Sequence, residues 1–442
     1  MTDARETATW RVETQAVHAG ERAHKAVRQG PPPTVHFTPV ATPIYRSAAY
    51  VYDDVAELDA VFGGREPGPV YARYGNPTIS ALEEAIRVLE GGDVCVVTAS
   101  GMAAIHLALI AAGAASGAKI VAARDLYGAT LTMLLSVLGP FGVETTFADS
   151  TDTAAFCARI ADERPTVVLI EAMSNPLLRV TDVPAVVETA HAVGARVVLD
   201  ATFTPPPMFY GIAAGADFVV HSLTKYLNGH ADVLAGAVIG RGDEAQSLIP
   251  LSRTLGPNIA ANEAYMILRG LKTLPLRFKR QNTNARLLAR ALARDPRVSR
   301  VSYPGLPDHP QYAVAHRLFA RGYGGGMLAF ELAGAGSDGT EGADDNSGGD
   351  GATRRFLDAL TLCLPATSLG DIYTLVTCPV MTSHREVAPK QRERMGITPG
   401  VMRVSVGIEH PGDIIADMQG ALTAALGPAI TQPKRVPALA HV

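Results

Sequence analysis

The chain has 442 residues, 47% of them hydrophobic and 19% charged, which suffices for roughly two to three domains with a large buried core. Its formal net charge of −4 disfavours nucleic-acid binding and electrostatic attachment to a membrane surface. The four cysteines are widely spaced and form no Cys-x-x-Cys or Cys/His ligand pattern, so neither a disulfide framework nor a metal site is predicted.

The N-terminal residues carry no targeting signal that we can identify. The first thirty residues contain charged side chains throughout and lack the apolar core of a signal peptide. The longest apolar run, residues 101–118, is interrupted by His106 and Ser116 and indicates a buried helix rather than a membrane span. We therefore expect a cytoplasmic protein with no membrane partner.

The first 76 residues form a region of their own. Residues 1 to about 36 are polar and end in Gly30-Pro31-Pro32-Pro33, which predicts an arm that orders only by docking onto another surface. Residues 38–76 contain several Pro, Gly and Tyr residues and lack a long periodic pattern. We predict that residues 1–76 precede the main domain.

From residue 77 onward, apolar runs of strand length alternate with segments of helical periodicity. The predicted strands are 94–98, 119–123, 143–147, 166–170, 196–200, 218–221 and 235–240. The predicted helices between them are 101–112, 127–138, 152–163 and 182–193. This alternation is typical of a mostly parallel sheet covered on both faces, so we predict a large α/β domain over residues 77–274.

The remaining residues, 275–442, have a mixed α and β pattern, with strands predicted at 326–332 and 401–408. We predict a smaller α/β domain here. Between these strands, residues 333–352 are rich in Gly, Ala, Ser and acidic residues and contain no basic residue. Such a composition buries too little apolar surface to offset chain entropy, so it predicts a disordered loop. An inert insertion is favoured over a regulatory element.

Three predicted strands end in residues that carry chemistry. In parallel α/β sheets, ligands bind at the carboxyl ends of the strands. The string Val197-Val198-Leu199-Asp200 ends in an acid. Such an acid can simply cap the next helix, but Pro205-Pro206-Pro207 follows closely and disfavours a helix start there.

A second strand, residues 218–221, runs into Ser222, Thr224 and Lys225. A lysine in an apolar setting is unusual unless it is paired or reactive, because burial lowers the pKa of its amine. A solvated loop lysine remains the alternative for this string alone. A third strand runs through Ser100 and Gly101 into an apolar helix, whose exposed N–H groups favour a phosphate.

Together these strand ends supply a phosphate cup, a carboxylate and a reactive lysine. Pyridoxal 5'-phosphate (PLP) requires this set: the lysine binds the cofactor covalently, the acid keeps the pyridine nitrogen protonated, and the phosphate is anchored separately. The sequence therefore predicts a PLP enzyme.

With these strings, the chain resembles the Cys/Met-metabolism family of fold-type I PLP enzymes, which includes cystathionine γ-synthase, cystathionine γ-lyase, methionine γ-lyase and O-acetylhomoserine sulfhydrylase. The resemblance extends from Val17-His18-Ala19-Gly20 to Ser405-Val406-Gly407-Ile408-Glu409. It implies a mostly parallel seven-stranded sheet in the large domain.

The resemblance implies roles for individual residues. Lys225 would form the Schiff base and shuttle protons, and Tyr127 would stack on the pyridine ring and assist departure of the leaving group. The other implied cofactor contacts are Asp200, Thr202, Gly101, Met102, Ser222 and Thr224. Arg403 would clamp the substrate carboxylate, with help from Ser368, and Asn175 would lie near the cofactor's 3-oxygen and the substrate carboxylate. His221 and His230 are interpreted as structural neighbours of the lysine loop.

The resemblance also implies an oligomer. Tyr71 and Arg73, in the string YARYGNPT, would reach the phosphate of a neighbouring subunit. Residues 1–76 would then include a dimer contact, and the family commonly forms a tetramer built as a dimer of dimers.

Several positions depart from the family pattern and affect the predicted substrate rather than the cofactor. Tyr373 replaces the usual acid after the Ser-Leu-Gly string, which places a phenol in the substrate region. Ala201 replaces an Asn, Ala129 stands where methionine γ-lyases carry a Cys, and Cys378 and Val380 also differ.

The predicted reaction is γ-elimination or γ-replacement on a sulfur-containing or activated homoserine-type amino acid, with the leaving group and nucleophile left open. β-Elimination at cysteine or cystathionine is the alternative within the family. An aminotransferase is less favoured, and a non-catalytic relative is disfavoured because Lys225, Asp200, Arg73, Tyr127 and Arg403 are all present.

Overall fold

The computed structural model describes residues 10–18, 39–334, 351–385 and 387–429. Two sheets organise this part of the chain. The larger one is formed between residues 94 and 240, and the smaller one between residues 298 and 405.

The larger sheet has seven strands in the order β1-β7-β6-β5-β4-β2-β3. The strands are β1 (Val94–Thr98), β2 (Lys119–Ala123), β3 (Glu144–Ala148), β4 (Val167–Glu171), β5 (Arg196–Asp200), β6 (Phe218–Ser222) and β7 (Gly236–Gly240). Strands β2 to β6 are parallel, whereas β7 is antiparallel to both of its neighbours. The central strands are nearly continuous in Val, Ile and Leu because both faces are covered.

The helices up to the end of this sheet are α1 (Val12–His18), α2 (Val55–Phe62), α3 (Pro77–Glu90), α4 (Gly101–Ala111), α5 (Gly128–Thr132), α6 (Thr153–Glu163) and α7 (Val183–Ala192). Local capping sets their starts. The Asn76 side chain accepts hydrogen bonds from the N–H groups of Thr78 and Ile79, and Ser100 accepts one from Ala103. Pro77 at the first position of α3 suits a helix start because its missing N–H would be unpaired there.

The smaller sheet has the strand order β10-β11-β12-β9-β8 and is mostly antiparallel. Its strands are β8 (Val298–Ser302), β9 (Met327–Leu332), β10 (Leu364–Pro365), β11 (Leu375–Thr377) and β12 (Val401–Ser405). The helices that follow β7 in the chain are α8 (Leu248–Leu255), α9 (Ala261–Leu271), α10 (Leu274–Leu292), α11 (Tyr312–Leu318), α12 (Gly351–Asp358), α13 (Pro389–Met395) and α14 (Pro411–Leu426). Of these, α8 packs on β1 and α9 on α3, both in the large unit.

The predicted fold class, a mostly parallel seven-stranded sheet with a smaller α/β unit, is confirmed. All seven predicted strands of the large sheet exist, with bounds that differ by one residue at most. The exact division at residues 76 and 274 stays a prediction.

Three details differ from the predictions. The helix predicted over 127–138 is an α-helix only to Thr132, and Met133–Leu138 is a π-helix. The strand predicted over 401–408 ends at Ser405. Gly351 and Ala352, predicted to end the acidic loop, instead begin α12, and residues 335–350 of that loop lie outside the described residues.

Part of the N-terminal arm is helical. Helix α1 packs against α3 and α10, where it buries Gln15 and Ala16. This section of the arm therefore docks on its own chain. Within the described ranges, we find no helix that is both long and apolar enough to cross a membrane.

Candidate active site

The candidate site lies at the carboxyl ends of β4, β5 and β6. Because these strands are parallel neighbours, their last residues lie along one edge of the sheet. Lys225 follows β6 by three residues, and its amine donates a hydrogen bond of 3.1 Å to the hydroxyl of Ser368. Burial, with the positive charge of Arg403, lowers the pKa of the Lys225 amine to about 8.

The loop that carries Lys225 is held from two sides. Gly370 has a φ of +77°, and a Cβ on it would lie 2.5 Å from the backbone nitrogen of Tyr226, so only glycine fits this approach. On the other side, the buried Arg277 donates to the carbonyl oxygens of Tyr226 and Leu227, at 2.9 and 3.3 Å. Neither residue was predicted from the sequence to support the site, although the glycine in the Ser-Leu-Gly string was a usable signal.

Asp200 ends β5 beside this loop. Its Oδ1 accepts the N–H of Thr202 at 2.9 Å, and the Thr202 hydroxyl accepts the N–H of Ser222 at 2.9 Å. Burial raises the pKa of Asp200, and the hydrogen bonds from Thr202 oppose that rise. The arrangement places a carboxylate at a sheltered sheet edge, where it can stabilise a protonated ring nitrogen.

The start of α4 approaches the end of β6 closely. A Cβ on Gly101 would lie 2.9 Å from the Cβ of Ser222, so glycine allows the helix start and the strand end to meet. The N–H groups of Gly101 and Met102 lie in the first turn of α4, a position that favours an anion. The Thr224 hydroxyl accepts the N–H of Ala235 at 3.0 Å and donates to the carbonyl oxygen of Ala235 at 3.3 Å.

Arg403, in the middle of β12, is buried and faces the same edge. Its two terminal nitrogens donate to the side-chain oxygen of Asn175 at 2.9 Å and to the carbonyl oxygens of Thr367 and Ser368 at 3.0 and 3.2 Å. The Nε of Arg403 is buried and has no hydrogen-bond partner among the described residues. Burial lowers the pKa of Arg403 to about 10, so the guanidinium remains a cation at neutral pH. A buried cation with an unused donor suits a carboxylate ligand.

Tyr127 lies at the start of α5, and 43% of the residue is exposed. Its backbone N–H donates to the carboxyl group of Glu171 at 2.6 Å. Glu171 ends β4 opposite Asp200, and it is a site residue that sequence analysis missed. Burial and the nearby Asp200 carboxylate raise the pKa of Glu171 well above its usual range.

Among the described residues, three predicted site residues make no hydrogen bond to Lys225, Asp200 or Arg403. Arg73 donates to the backbone oxygen of Arg253 and lies 5.0 Å from the ring centre of Tyr74. The other two residues, Tyr71 and Tyr373, are 46% and 52% exposed. A cavity of about 280 Å³ lies between residues 45–48 and 258–262. Its lining includes Ala72, the residue between Tyr71 and Arg73, but not Lys225.

The two histidines near the lysine loop have structural partners. His221 is buried and pairs with Glu90 at 2.9 Å, and His230 pairs with the carbonyl oxygen of Asn228 at 2.7 Å. These contacts agree with the interpretation of both residues as structural neighbours.

The polar groups at this edge fit PLP. Lys225 supplies an amine of lowered pKa, and Arg403 is a buried cation with an unused donor. The Asp200 carboxylate ends β5, next to the end of β6 that the anion-binding helix start approaches. These are separate anchors for the different parts of the cofactor and an amino acid.

Comparisons with known proteins agree with this geometry. Residues 13–423 match the family model described as Cys/Met metabolism PLP-dependent enzyme. The chain is 35% identical to an O-succinylhomoserine sulfhydrylase of Pseudomonas aeruginosa, covering 93% of this chain and 95% of that protein. It is 37% identical to an L-methionine γ-lyase of Porphyromonas gingivalis, covering 92% and 96%.

A solved structure gives the same result. The crystal structure of cystathionine γ-synthase from Xanthomonas oryzae pv. oryzae, in complex with aminoacrylate and cysteine, superposes with a TM-score of 0.82 at 34% identity. The match covers 94% of this chain and 98% of that one. The resemblance predicted from the sequence is thus confirmed, and the chain belongs to the Cys/Met-metabolism family of PLP-dependent enzymes.

Proposed function

We propose that this protein catalyses γ-elimination or γ-replacement on a sulfur-containing or activated homoserine-type amino acid. The observation that carries the proposal is the convergence of Lys225, Asp200 and Arg403 at one sheet edge, with the Lys225 amine 3.1 Å from Ser368. The reaction type is supported by the relatives, which are named as a methionine γ-lyase, a sulfhydrylase and a cystathionine γ-synthase.

In this proposal Lys225 binds PLP covalently and Asp200 holds the pyridine nitrogen. The remaining residues proposed to hold the cofactor are Tyr127, Thr202, Gly101, Met102, Ser222 and Thr224. The close approach of Gly101 to Ser222 supports a shared phosphate contact, because it brings the helix N–H groups beside a hydroxyl. The Thr224 hydroxyl donates to the carbonyl oxygen of Ala235 over 3.3 Å, and its proton can rotate to donate to a phosphate oxygen instead.

When bound, PLP withdraws electrons from the attached amino acid and so makes the protons on its Cα and Cβ acidic. Lys225 is the base that we propose takes and returns these protons. With a pKa of about 8, its amine has both a neutral and a protonated population near neutral pH, as acid–base exchange requires. The Ser368 hydroxyl at 3.1 Å keeps this amine oriented toward the site.

Arg403 is proposed to bind the substrate α-carboxylate. Asn175 and two carbonyl oxygens fix its terminal nitrogens, so the guanidinium is already oriented before a substrate arrives. Such preorganisation reduces the entropy lost on binding. Ser368 and Asn175 complete the proposed substrate contacts.

Tyr373 is proposed to contact the substrate side chain. Its phenol is exposed on the loop that also contains Ser368 and Gly370, so it can meet a ligand without moving the core. Because the usual residue at this position is an acid, we propose that this enzyme takes a leaving group or nucleophile that is non-standard for the family.

We infer that the functional unit is at least a dimer and propose a dimer of dimers. Arg73 and Tyr71 are exposed, and the preceding segment exposes apolar side chains, including Val51 at 97% and Phe62 at 63%. An apolar surface of this kind favours burial against another subunit, which would carry Tyr71 and Arg73 toward its phosphate. A cytoplasmic location remains a prediction from the sequence.

The decisive experiment offers the purified enzyme methionine, cystathionine, O-acetylhomoserine, O-succinylhomoserine and S-adenosylmethionine, each with and without a thiol. We expect 2-oxobutyrate without the thiol, or a new γ-substituted amino acid with it. Formation of pyruvate without 2-oxobutyrate would contradict the γ reaction and indicate β-elimination instead. When a 2-oxo acid is added as amine acceptor, conversion of the offered amino acid to its own 2-oxo acid with the γ-substituent retained would indicate an aminotransferase.

A further inference from the structure

We propose that Glu171 is a positioning residue, which fixes Tyr127 at the mouth of the site by accepting its backbone N–H bond. The proposal rests on the proposed function, since it assigns Glu171 a part in placing a cofactor-stacking ring. Glu171 itself touches neither the substrate nor the reacting atoms in this role.

The contact joins two elements that are distant in the sequence. Glu171 is the last residue of β4, and its Oε1 lies 2.6 Å from the nitrogen of Tyr127, 44 positions earlier. The N–H of Asn175, the residue that accepts from Arg403, lowers the pKa of Glu171 and so faces the same carboxyl group. The hydrogen bond of Glu171, however, goes to the proposed stacking residue, Tyr127.

The backbone of Tyr127 has to fix the ring, because the ring is not enclosed by the protein. Tyr127 is 43% exposed as a residue, and its side chain makes no capping hydrogen bond at the start of α5. The Tyr127 carbonyl oxygen already accepts from Thr130 and Leu131, at 2.9 and 3.1 Å, which leaves the N–H as the second backbone anchor. Only Glu171 accepts that N–H among the described residues.

Electrostatics indicate that Glu171 acts as an acceptor rather than as a charge. Glu171 is buried, with 6% of the residue exposed, and it lies beside Asp200 on the neighbouring strand. The proposed role of Asp200 requires a negative charge. Two adjacent buried carboxylates repel each other, and both burial and Asp200 favour the protonated form of Glu171. A neutral carboxyl group still accepts through its carbonyl oxygen.

Two substitutions at Glu171 separate the effect of side-chain length from the effect of the ionisable group. Glu171→Gln keeps the length and the accepting oxygen but removes the ionisable group, whereas Glu171→Asp keeps a carboxyl group but is shorter by about 1.5 Å, one C–C bond. We expect Glu171→Gln to retain kcat/KM within about threefold. We expect Glu171→Asp to lose about 100-fold, the cost typical of misplacing a site group by about 1 Å.

Asp217→Asn is the matched control. Asp217 accepts the N–H of Val197 at 2.7 Å, so it is also a carboxylate bonded to strand backbone, but it lies at the amino end of β6. We expect its kcat/KM to stay within about threefold of the parent, on the scale of single hydrogen bonds away from the site. All variants are compared for thermal midpoint and PLP content.

A double-mutant cycle tests whether Glu171 acts through Tyr127. In a Tyr127→Ala background, we expect Glu171→Asp to cost about threefold or less instead of about 100-fold, because there is no ring left to position. A full loss in that background would overturn the proposal. So would equal activities of the Gln and Asp variants, or loss of folded protein on either substitution, since that outcome marks a structural role.

The parent protein distinguishes this inference from the proposed function. If the parent enzyme binds no PLP or converts none of the amino acids, the proposed function has failed. If the parent is active and Glu171→Asp matches Asp217→Asn, the inference alone has failed.

Discussion

The carboxyl-end edge of the large sheet and the segment from residue 39 to residue 76 carry two parts of the proposed cofactor site, and they are built in opposite ways. At the sheet edge, Lys225, Asp200 and Glu171 extend from strands whose interiors are buried, and each has polar partners within the chain. In the segment, helix α2 buries none of its residues, and Val51 is almost fully exposed.

This difference indicates which interactions each part depends on. The sheet edge is fixed by the packing of one chain, so its geometry is already complete there. The segment leaves apolar surface uncovered, and Arg73 contacts the Tyr74 ring and the carbonyl oxygen of Arg253 rather than the residues of the sheet edge. We infer that a second subunit completes the segment, and the following predictions test that division of roles.

The largest effect is expected at the sheet edge. Lys225→Ala removes the proposed covalent attachment and the proton carrier, so kcat/KM should fall by at least about 10³-fold. The visible absorbance band of the lysine-bound cofactor should vanish as well. Lys279→Ala, an exposed lysine of α10, is the control and should change neither measurement. An unchanged spectrum in Lys225→Ala would refute the assignment of this lysine.

The second prediction concerns the segment. Arg73→Ala should weaken PLP binding about 100-fold, since one charge-assisted bond to phosphate contributes roughly 1.5 to 3 kcal/mol. The dissociation constant of PLP, titrated into cofactor-free protein, measures this. Arg65→Ala is the matched control in the same segment, because Arg65 pairs only with the exposed Asp59 among the described residues.

Mixing Lys225→Ala with Arg73→Ala tests whether Arg73 acts on a partner's site, at a PLP concentration that saturates the parent enzyme but leaves Arg73→Ala unloaded and therefore inactive. In a hybrid dimer of Lys225→Ala and Arg73→Ala, one of the two sites has both residues intact. Random subunit exchange should therefore restore about a quarter of the parent activity. If the mixture stays inactive after verified subunit exchange, Arg73 acts within its own chain. That result would contradict the inference that a second subunit completes the segment.

A smaller effect is expected at the substrate side. Arg403→Lys keeps the charge but loses the planar guanidinium that Asn175, Thr367 and Ser368 orient. We expect the KM of the amino acid to rise about 30-fold, with PLP content unchanged. Arg300→Lys, an exposed arginine of β8, is the control. Loss of PLP from Arg403→Lys would place this residue on the cofactor instead.

The smallest effect is a pH dependence. Because the pKa of the Lys225 amine is lowered to about 8, its reactive neutral form grows as pH rises through that value. The rate of PLP uptake by cofactor-free protein should increase about fivefold from pH 7 to pH 8 and level off above about pH 9. A lysine of ordinary pKa would instead give a rate that keeps rising about tenfold per pH unit through pH 9. That profile would contradict burial of the amine.

Much of this protein could be predicted from the sequence. The strands of the large sheet were predictable because apolar runs of about five residues alternate with helical periodicity. Asp200 and Lys225 stood out because they interrupt those apolar runs at strand ends, where ligands of parallel sheets bind. The Met133–Leu138 π-helix was not predictable, because its apolar pattern is compatible with an ordinary α-helix.

By itself, the sequence determined the fold class, the cofactor and the family, since these follow from local periodicity and from short strings of residues. Only the tertiary structure decided how the site is supported. Glu171 accepts the N–H of Tyr127 although the two are 44 positions apart in the sequence, and Arg277 donates to Tyr226 over 51 positions. Arg403 donates to Asn175 over 228 positions. Such contacts depend on which strands become neighbours and how deeply each side chain is buried, and no local pattern encodes either. For the same reason, one chain exposes Tyr71 and Arg73 without determining the surface that they meet.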